Sequence, residues 1–108
     1  RAAPPRLLDA CVRGTPACVR AAALLQGAPF AAGLTPGERA LVALSVARTC
    51  ASRRAAIETL EREGDARALP VLRRILTGRN CGFLRLETCN PCLGATLTNA
   101  TRAIEARE

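Results

Sequence analysis

Six cysteines, Cys11, Cys18, Cys50, Cys81, Cys89 and Cys92, hold most of the reactive chemistry open to this chain of 108 residues. Thiols at this density serve as disulfide staples, metal ligands or a redox pair. A structural four-cysteine zinc site typically draws on two Cys-x-x-Cys pairs, and only Cys89 and Cys92 have that spacing, so no metal is expected. An even number of cysteines in so small a chain favours staples, each raising stability by roughly 2 to 4 kcal/mol, and with them an oxidising, secreted or periplasmic compartment. Other chemistry is scarce. Neither His nor Lys occurs, which excludes Ser-His-Asp and Cys-His nucleophiles, Schiff bases, His-bound metals and P-loops. Asp9, Asp65 and the glutamates fall on solvent faces or at helix ends, and Ser45 and Ser52 lie outside any nucleophile-elbow context. The inventory yields no catalytic residue and no cofactor, and the chain reads as a non-enzyme.

Two alternatives compete with that reading. Cys89-Asn90-Pro91-Cys92 resembles the dithiol of thioredoxin-like oxidoreductases, which lower a thiol pKa at a helix start. The preceding strand with its aromatic, the βαβ context and the cis-proline loop of that family are missing, and the resemblance implies at most a thiol-disulfide redox protein using Cys89 and Cys92. The second alternative is an Arg-mediated polyanion or nucleic-acid binder, since all 16 basic residues are Arg and the net charge is +7. Against it, the arginines are spread along the whole chain and several have acids at helical spacing, as in Asp9 to Arg13 and Glu58 to Arg62. Only Phe30 and Phe83 are available for base stacking. Nucleic acid is therefore not the expected partner.

Proline and glycine punctuate the elements that must position these groups. Thr35-Pro36-Gly37-Glu38 has capping-box form with proline at the first helical position. Thr15-Pro16 and Asn90-Pro91 repeat the cap-then-proline pairing, Asp65 reads as an N-cap, and Gly14, Gly27, Gly64 and Gly78 stand where left-handed residues end helices. Six helices follow, at about 5–13, 16–26, 36–49, 53–63, 66–77 and 91–106, with no strand signal. Ala56, Ile57 and Leu60 share a face of the fourth helix, and Leu69, Leu72, Ile75 and Leu76 a face of the fifth. The third is apolar nearly all round and should form the centre of the core. The longest apolar run, residues 40–47, is far short of the roughly 20 residues that span a bilayer. The chain is expected to be a single all-α domain over 1–108, with a terminal segment at 1–5 and a loop insertion at 79–90. Arg1 in place of Met suits a terminus left by signal cleavage or a domain cut from a longer chain.

Short connections force consecutive helices to run antiparallel, giving three stacked antiparallel helical hairpins. Arg39-Ala40-Leu41 recurs as Arg67-Ala68-Leu69, and Arg20-Ala21-Ala22 as Arg54-Ala55-Ala56. The stretch 53–78, RRAAIETLEREGDARALPVLRRILTG, resembles a HEAT-like helical repeat of the short bacterial type, in which one helix ends at Gly-Asp and the next opens on Arg-Ala-Leu-Pro. The resemblance implies a scaffold that binds other macromolecules. Cys11 and Cys18 lie about equally far on either side of the Gly14-Thr15 turn and should pair, and one of Cys81, Cys89 and Cys92 should reach Cys50. Asn99-Ala100-Thr101 is a glycosylation sequon on a helix, and Phe30 and Phe83 read as plugs beneath the two longest loops. The expected function is a non-catalytic secreted or periplasmic interaction module that binds another protein, with the 79–92 segment (Arg79, Phe83, Leu84, Arg85, Leu86) as the partner-binding surface.

Overall fold

Reciprocal caps start the two helices at the centre of the chain. Thr35 accepts from the Glu38 amide at 3.1 Å through its hydroxyl oxygen, and its own amide donates to the Glu38 carboxylate at 2.8 Å. The second cap is built from Thr49 and Ser52, the serine hydroxyl standing where a glutamate usually serves. The computed structural model describes residues 5–27, 30–77 and 91–108. Among them are six α-helices and no strand: α1 (Pro5–Arg13), α2 (Cys18–Gln26), α3 (Pro36–Val46), α4 (Cys50–Glu63), α5 (Ala68–Thr77) and α6 (Gly94–Arg107). Short 3-10 turns at Ala31–Gly33 and Pro91–Leu93 precede α3 and α6. No described helix is long and apolar enough to cross a membrane.

Several boundaries depart from the sequence reading for identifiable reasons. The Thr49 cap makes α4 begin at Cys50, not at 53, and α3 ends at Val46, so the three-residue connection shifts from 50–52 to Ala47–Thr49. Thr15 does not cap α2 with its side chain, because its hydroxyl donates to the Ala10 carbonyl at 3.1 Å, at the end of α1. That end is closed by Gly14 at φ +72°, with the Thr15 amide bonded to Ala10 and the Gly14 amide to Cys11, the Schellman pattern. Gly27 and Gly64 are extended, not left-handed. At Gly64 space is the constraint, since a Cβ there would lie 2.7 Å from the Leu60 carbonyl oxygen and 3.1 Å from Ile104. Asp65 organises the turn before α5 by accepting from the Arg67 amide at 2.9 Å.

The helices pack as consecutive pairs, α1 on α2, α3 on α4 and α5 on α6. Helix α3 is central, touching α1, α2, α4 and α5, and α4 packs on α6. Contact between α1 and α5 also joins the first and third pairs. The core is aliphatic: Leu25, Val42, Ile57, Leu60, Leu72, Leu93, Leu97 and Ile104 are fully buried. Burial of each contributes about 1.5 to 3 kcal/mol. On α5 the buried stripe runs through Ala68, Val71 and Leu72 with Ile75 partly covered, one position round from the expected face, so Leu76 is 41% exposed. Phe30 packs partly buried against the core.

Candidate functional site

Antiparallel pairing puts both described hairpin turns at one end of the bundle, together with the last turn of α5 and the start of α6. The first turn is bridged by a Cys11–Cys18 disulfide with a Cα separation of 4.6 Å, both residues buried. This pairing is the one anticipated from their placement about the turn. Cys50 is bridged to Cys92 across a Cα separation of 6.6 Å, tying the start of α4 to the segment before α6. Arg54 reinforces that junction by donating to the Cys92 carbonyl at 2.9 Å. Because Cys92 is bonded to Cys50, it is not paired with Cys89 as a Cys-x-x-Cys redox disulfide would be. Cys81 and Cys89 lie outside the described residues, as does the expected partner-binding set Arg79, Phe83, Leu84, Arg85 and Leu86.

These turns enclose a groove of about 410 Å³, inside the range of roughly 300 to 1,000 Å³ typical of ligand clefts. Leu44, Val71 and Ile75 give it an apolar floor, the Cys11 and Cys18 sulfurs stiffen one wall, and Val19, 71% exposed, stands at its lip. Arg53 and Arg74 supply guanidinium groups to the lining, which contains no carboxylate among the described residues. Arg53 donates from Nε to the Ala47 carbonyl at 3.2 Å, closing the end of α3. Arg74 donates from Nη2 to the Val12 and Cys11 carbonyls, closing the end of α1. Both cations sit where helix C-termini concentrate negative partial charge.

Charge is divided along the bundle. The turn-end segments, 10–21, 43–54 and 74–77, carry Arg13, Arg20, Arg48, Arg53, Arg54 and Arg74 and no Asp or Glu. The opposite end, around the α4–α5 connection, mixes Glu38, Glu61, Glu63 and Asp65 with Arg39, Arg62, Arg67 and Arg107. There Arg67 bridges Asp65 at 2.9 Å and Glu38 at 3.1 Å. The Thr35 amide, and then Arg67, hold Glu38 below the usual carboxylate range, and Arg67 does the same for Asp65. These acids are engaged in capping and cross-linking. Asp9 and Arg13 pair at 2.9 Å as their spacing implied, whereas Glu58 and Arg62 are not among the ion pairs of the described residues.

Six arginines that look dispersed along the sequence thus share one end of the bundle, because they fall beside the two described hairpin turns and in the last turn of α5. The groove itself was not anticipated. Its one sequence signal was Val19, an aliphatic residue outside the buried stripe of α2. The sequon is seated in mid-helix, with Asn99 exposed and the buried Thr101 hydroxyl donated to the Leu97 carbonyl at 2.8 Å. Among the described residues no group of acids and cysteines is arranged to hold a metal ion. No family model, curated protein or solved structure matches the chain.

Proposed function

We propose that this protein is a non-catalytic interaction module, a short array of HEAT-like helical pairs stapled by disulfides, that works in an extracytoplasmic compartment by binding another protein. The observation that carries the reading is the turn-end groove: a concave, partly apolar surface held by a disulfide and anchored guanidiniums, assembled from five helices. Such a surface recognises a partner without needing any reacting group. The two bridges support the compartment, since reducing cytosol does not maintain ordinary structural disulfides. The sequence-derived surface at Arg79, Phe83, Leu84, Arg85 and Leu86 adjoins the end of α5 in the chain and belongs to the same proposal. The arginine-rich turn end also favours a second reading, a polyanion binder.

Photo-crosslinking residues placed at Val19 and, as a control, at Arg62 test the first reading in the extracytoplasmic fraction of the producing organism. One identified protein captured from position 19, and displaced by excess unlabelled chain, supports it. Heparin retention that resists high salt, with no protein captured from either position, transfers support to polyanion binding. Catalytic reduction of insulin disulfides by the chain overturns the non-catalytic reading.

A further inference from the structure

We infer that the turn-end groove receives an extended peptide segment in which an aspartate or glutamate adjoins a leucine, isoleucine or valine. This rests on the interaction-module reading and names the chemistry of its partner. The apolar half of the argument is the exposed Val19 and the half-buried Ile75, which stand over the buried Leu44 and Val71. Val19 is left 71% exposed there, and an aliphatic side chain seated against it removes apolar surface of both partners from water. The polar half is Arg74. Its Nη2 is held by the Val12 and Cys11 carbonyls, and its guanidinium lies against Gly14, where a Cβ would come within 2.9 Å of Cζ. Anchored in this way it loses little further freedom on binding, while among the described residues its Nε and Nη1 protons meet no acceptor.

Charge complementarity selects the sign of the ligand. Among the described residues the groove lining holds no carboxylate, and the surrounding turn-end segments add Arg20, Arg48 and Arg54, while Arg13 is paired with Asp9, so the field of the described residues steers anions toward it. The aliphatic floor favours an acidic peptide over a nucleic acid, since among the described residues the groove lining has no aromatic side chain to serve as a stacking platform. The volume suits side chains entering from an extended strand of peptide.

The test uses the full oxidised chain and fluorescein-labelled peptides of alternating Glu and Leu, read by fluorescence anisotropy. Matched peptides carry Gln for Glu, or Ser for Leu. The Glu-Leu peptide should bind, with affinity falling as salt rises, and each altered peptide should bind roughly tenfold more weakly, the loss expected for one charge-assisted contact or one buried aliphatic side chain. Val19→Asp, at an exposed site, should abolish binding while leaving the thermal melt unchanged. Equal binding of the Gln-Leu peptide, no binding of the Glu-Leu peptide, or undiminished binding by Val19→Asp overturns the inference. So does displacement of the peptide by dodecanoate or oligothymidylate at lower concentration than unlabelled peptide, or a dimer of the chain that Val19→Asp dissociates. A partner crosslinked at position 19 alongside failed peptide binding would reject this ligand chemistry and leave the module reading standing.

Discussion

The guanidinium of Arg74, on α5, reaches across the first hairpin turn and donates from Nη2 to the carbonyl oxygen of Val12 at 2.8 Å, joining residues 62 positions apart. Val12 belongs to the last turn of α1, whose carbonyls have no partner within the helix. Arg74 therefore satisfies an orphan acceptor, places a positive charge at a helix C-terminus and links the first and third helical pairs at once. Arg74→Ala should lower stability by about 1 to 2 kcal/mol, toward the low end for a charged hydrogen bond because the site is open to solvent. Arg74→Lys should recover only part of that loss. Urea denaturation of the three proteins checks the order, and a lysine variant as stable as the parent would show that charge alone is needed.

Gly14 is constrained twice. Its φ of +72° excludes most side chains on steric grounds, and a Cβ there would press on the Arg74 guanidinium at 2.9 Å. Gly14→Ala should cost about 1 to 2 kcal/mol for the left-handed backbone, and more if Arg74 is pushed off the α1 carbonyls. In the Arg74→Ala background the same substitution should cost less, so a double-mutant cycle in the denaturation midpoint should be non-additive.

The two disulfides should differ in worth. Loop closure in the unfolded chain gives about 2.5 kcal/mol for Cys11–Cys18 and about 4 kcal/mol for Cys50–Cys92, with sequence separations of 7 and 42. Cys50→Ala with Cys92→Ala should therefore destabilise more than Cys11→Ala with Cys18→Ala, unless the cavity left by the buried Cys11 and Cys18 sulfurs narrows the gap. A non-reduced peptide map should recover both bridges. Since six cysteines are present and four are paired, a fully stapled chain requires Cys81 to be joined to Cys89 in the same map. A Cys89–Cys92 peptide would contradict this framework and revive the redox reading.

How far the sequence disclosed this arrangement depended on the range of each interaction. The Thr35–Glu38 cap and the Cys11–Cys18 bridge are local, set by a few residues around one turn, and both were legible. The Thr49–Ser52 cap is equally local but escaped notice because serine replaces the expected glutamate, which moved the start of α4 by three residues and hid Cys50 inside a helix. Arg74 on α1, Arg107 on α4 and Arg54 on the segment before α6 are legible only in three dimensions, because a guanidinium carries no mark of which distant carbonyl it will meet. The groove is a consequence of the same long-range placements.

Acid should weaken the end opposite the groove. Glu38 and Asp65 have folded pKa values below their ordinary 4.5 and 3.8. Their contribution is thus complete above those ordinary values and is lost as pH falls through the lowered folded ones. Stability measured by urea midpoint should be level near neutral pH and decline below about pH 4.5. Glu38→Gln removes one titrating partner of Arg67 and should flatten part of that decline, while lowering the neutral plateau. An unchanged acid limb in Glu38→Gln would assign the decline to other carboxylates.

Arg107 offers the clearest separation of geometry from charge. Its Nη1 donates to the Glu61 carbonyl at 2.7 Å, and its Nη2 to Leu60 at 3.1 Å and Gly64 at 3.0 Å, so one guanidinium covers the open end of α4. A planar group with donors on both arms can do this, whereas an ammonium is a single compact point of charge. Arg107→Ala should cost about 1 to 3 kcal/mol, from lost charge-assisted hydrogen bonds and the lost favourable interaction with the helix dipole. Arg107→Lys should recover the dipole contribution and little else, leaving it closer to the alanine variant than to the parent. The exposed Arg73–Glu105 pair, at 2.9 Å between α5 and α6, is the control. Breaking it with Arg73→Gln should cost about 0 to 1 kcal/mol, and that small effect should vanish in high salt. The Arg107 loss should largely survive the same salt, because carbonyl hydrogen bonds at a packed helix end are not screened as an exposed ion pair is. If the two losses respond to salt alike, Arg107 acts as a surface charge and not as a cap.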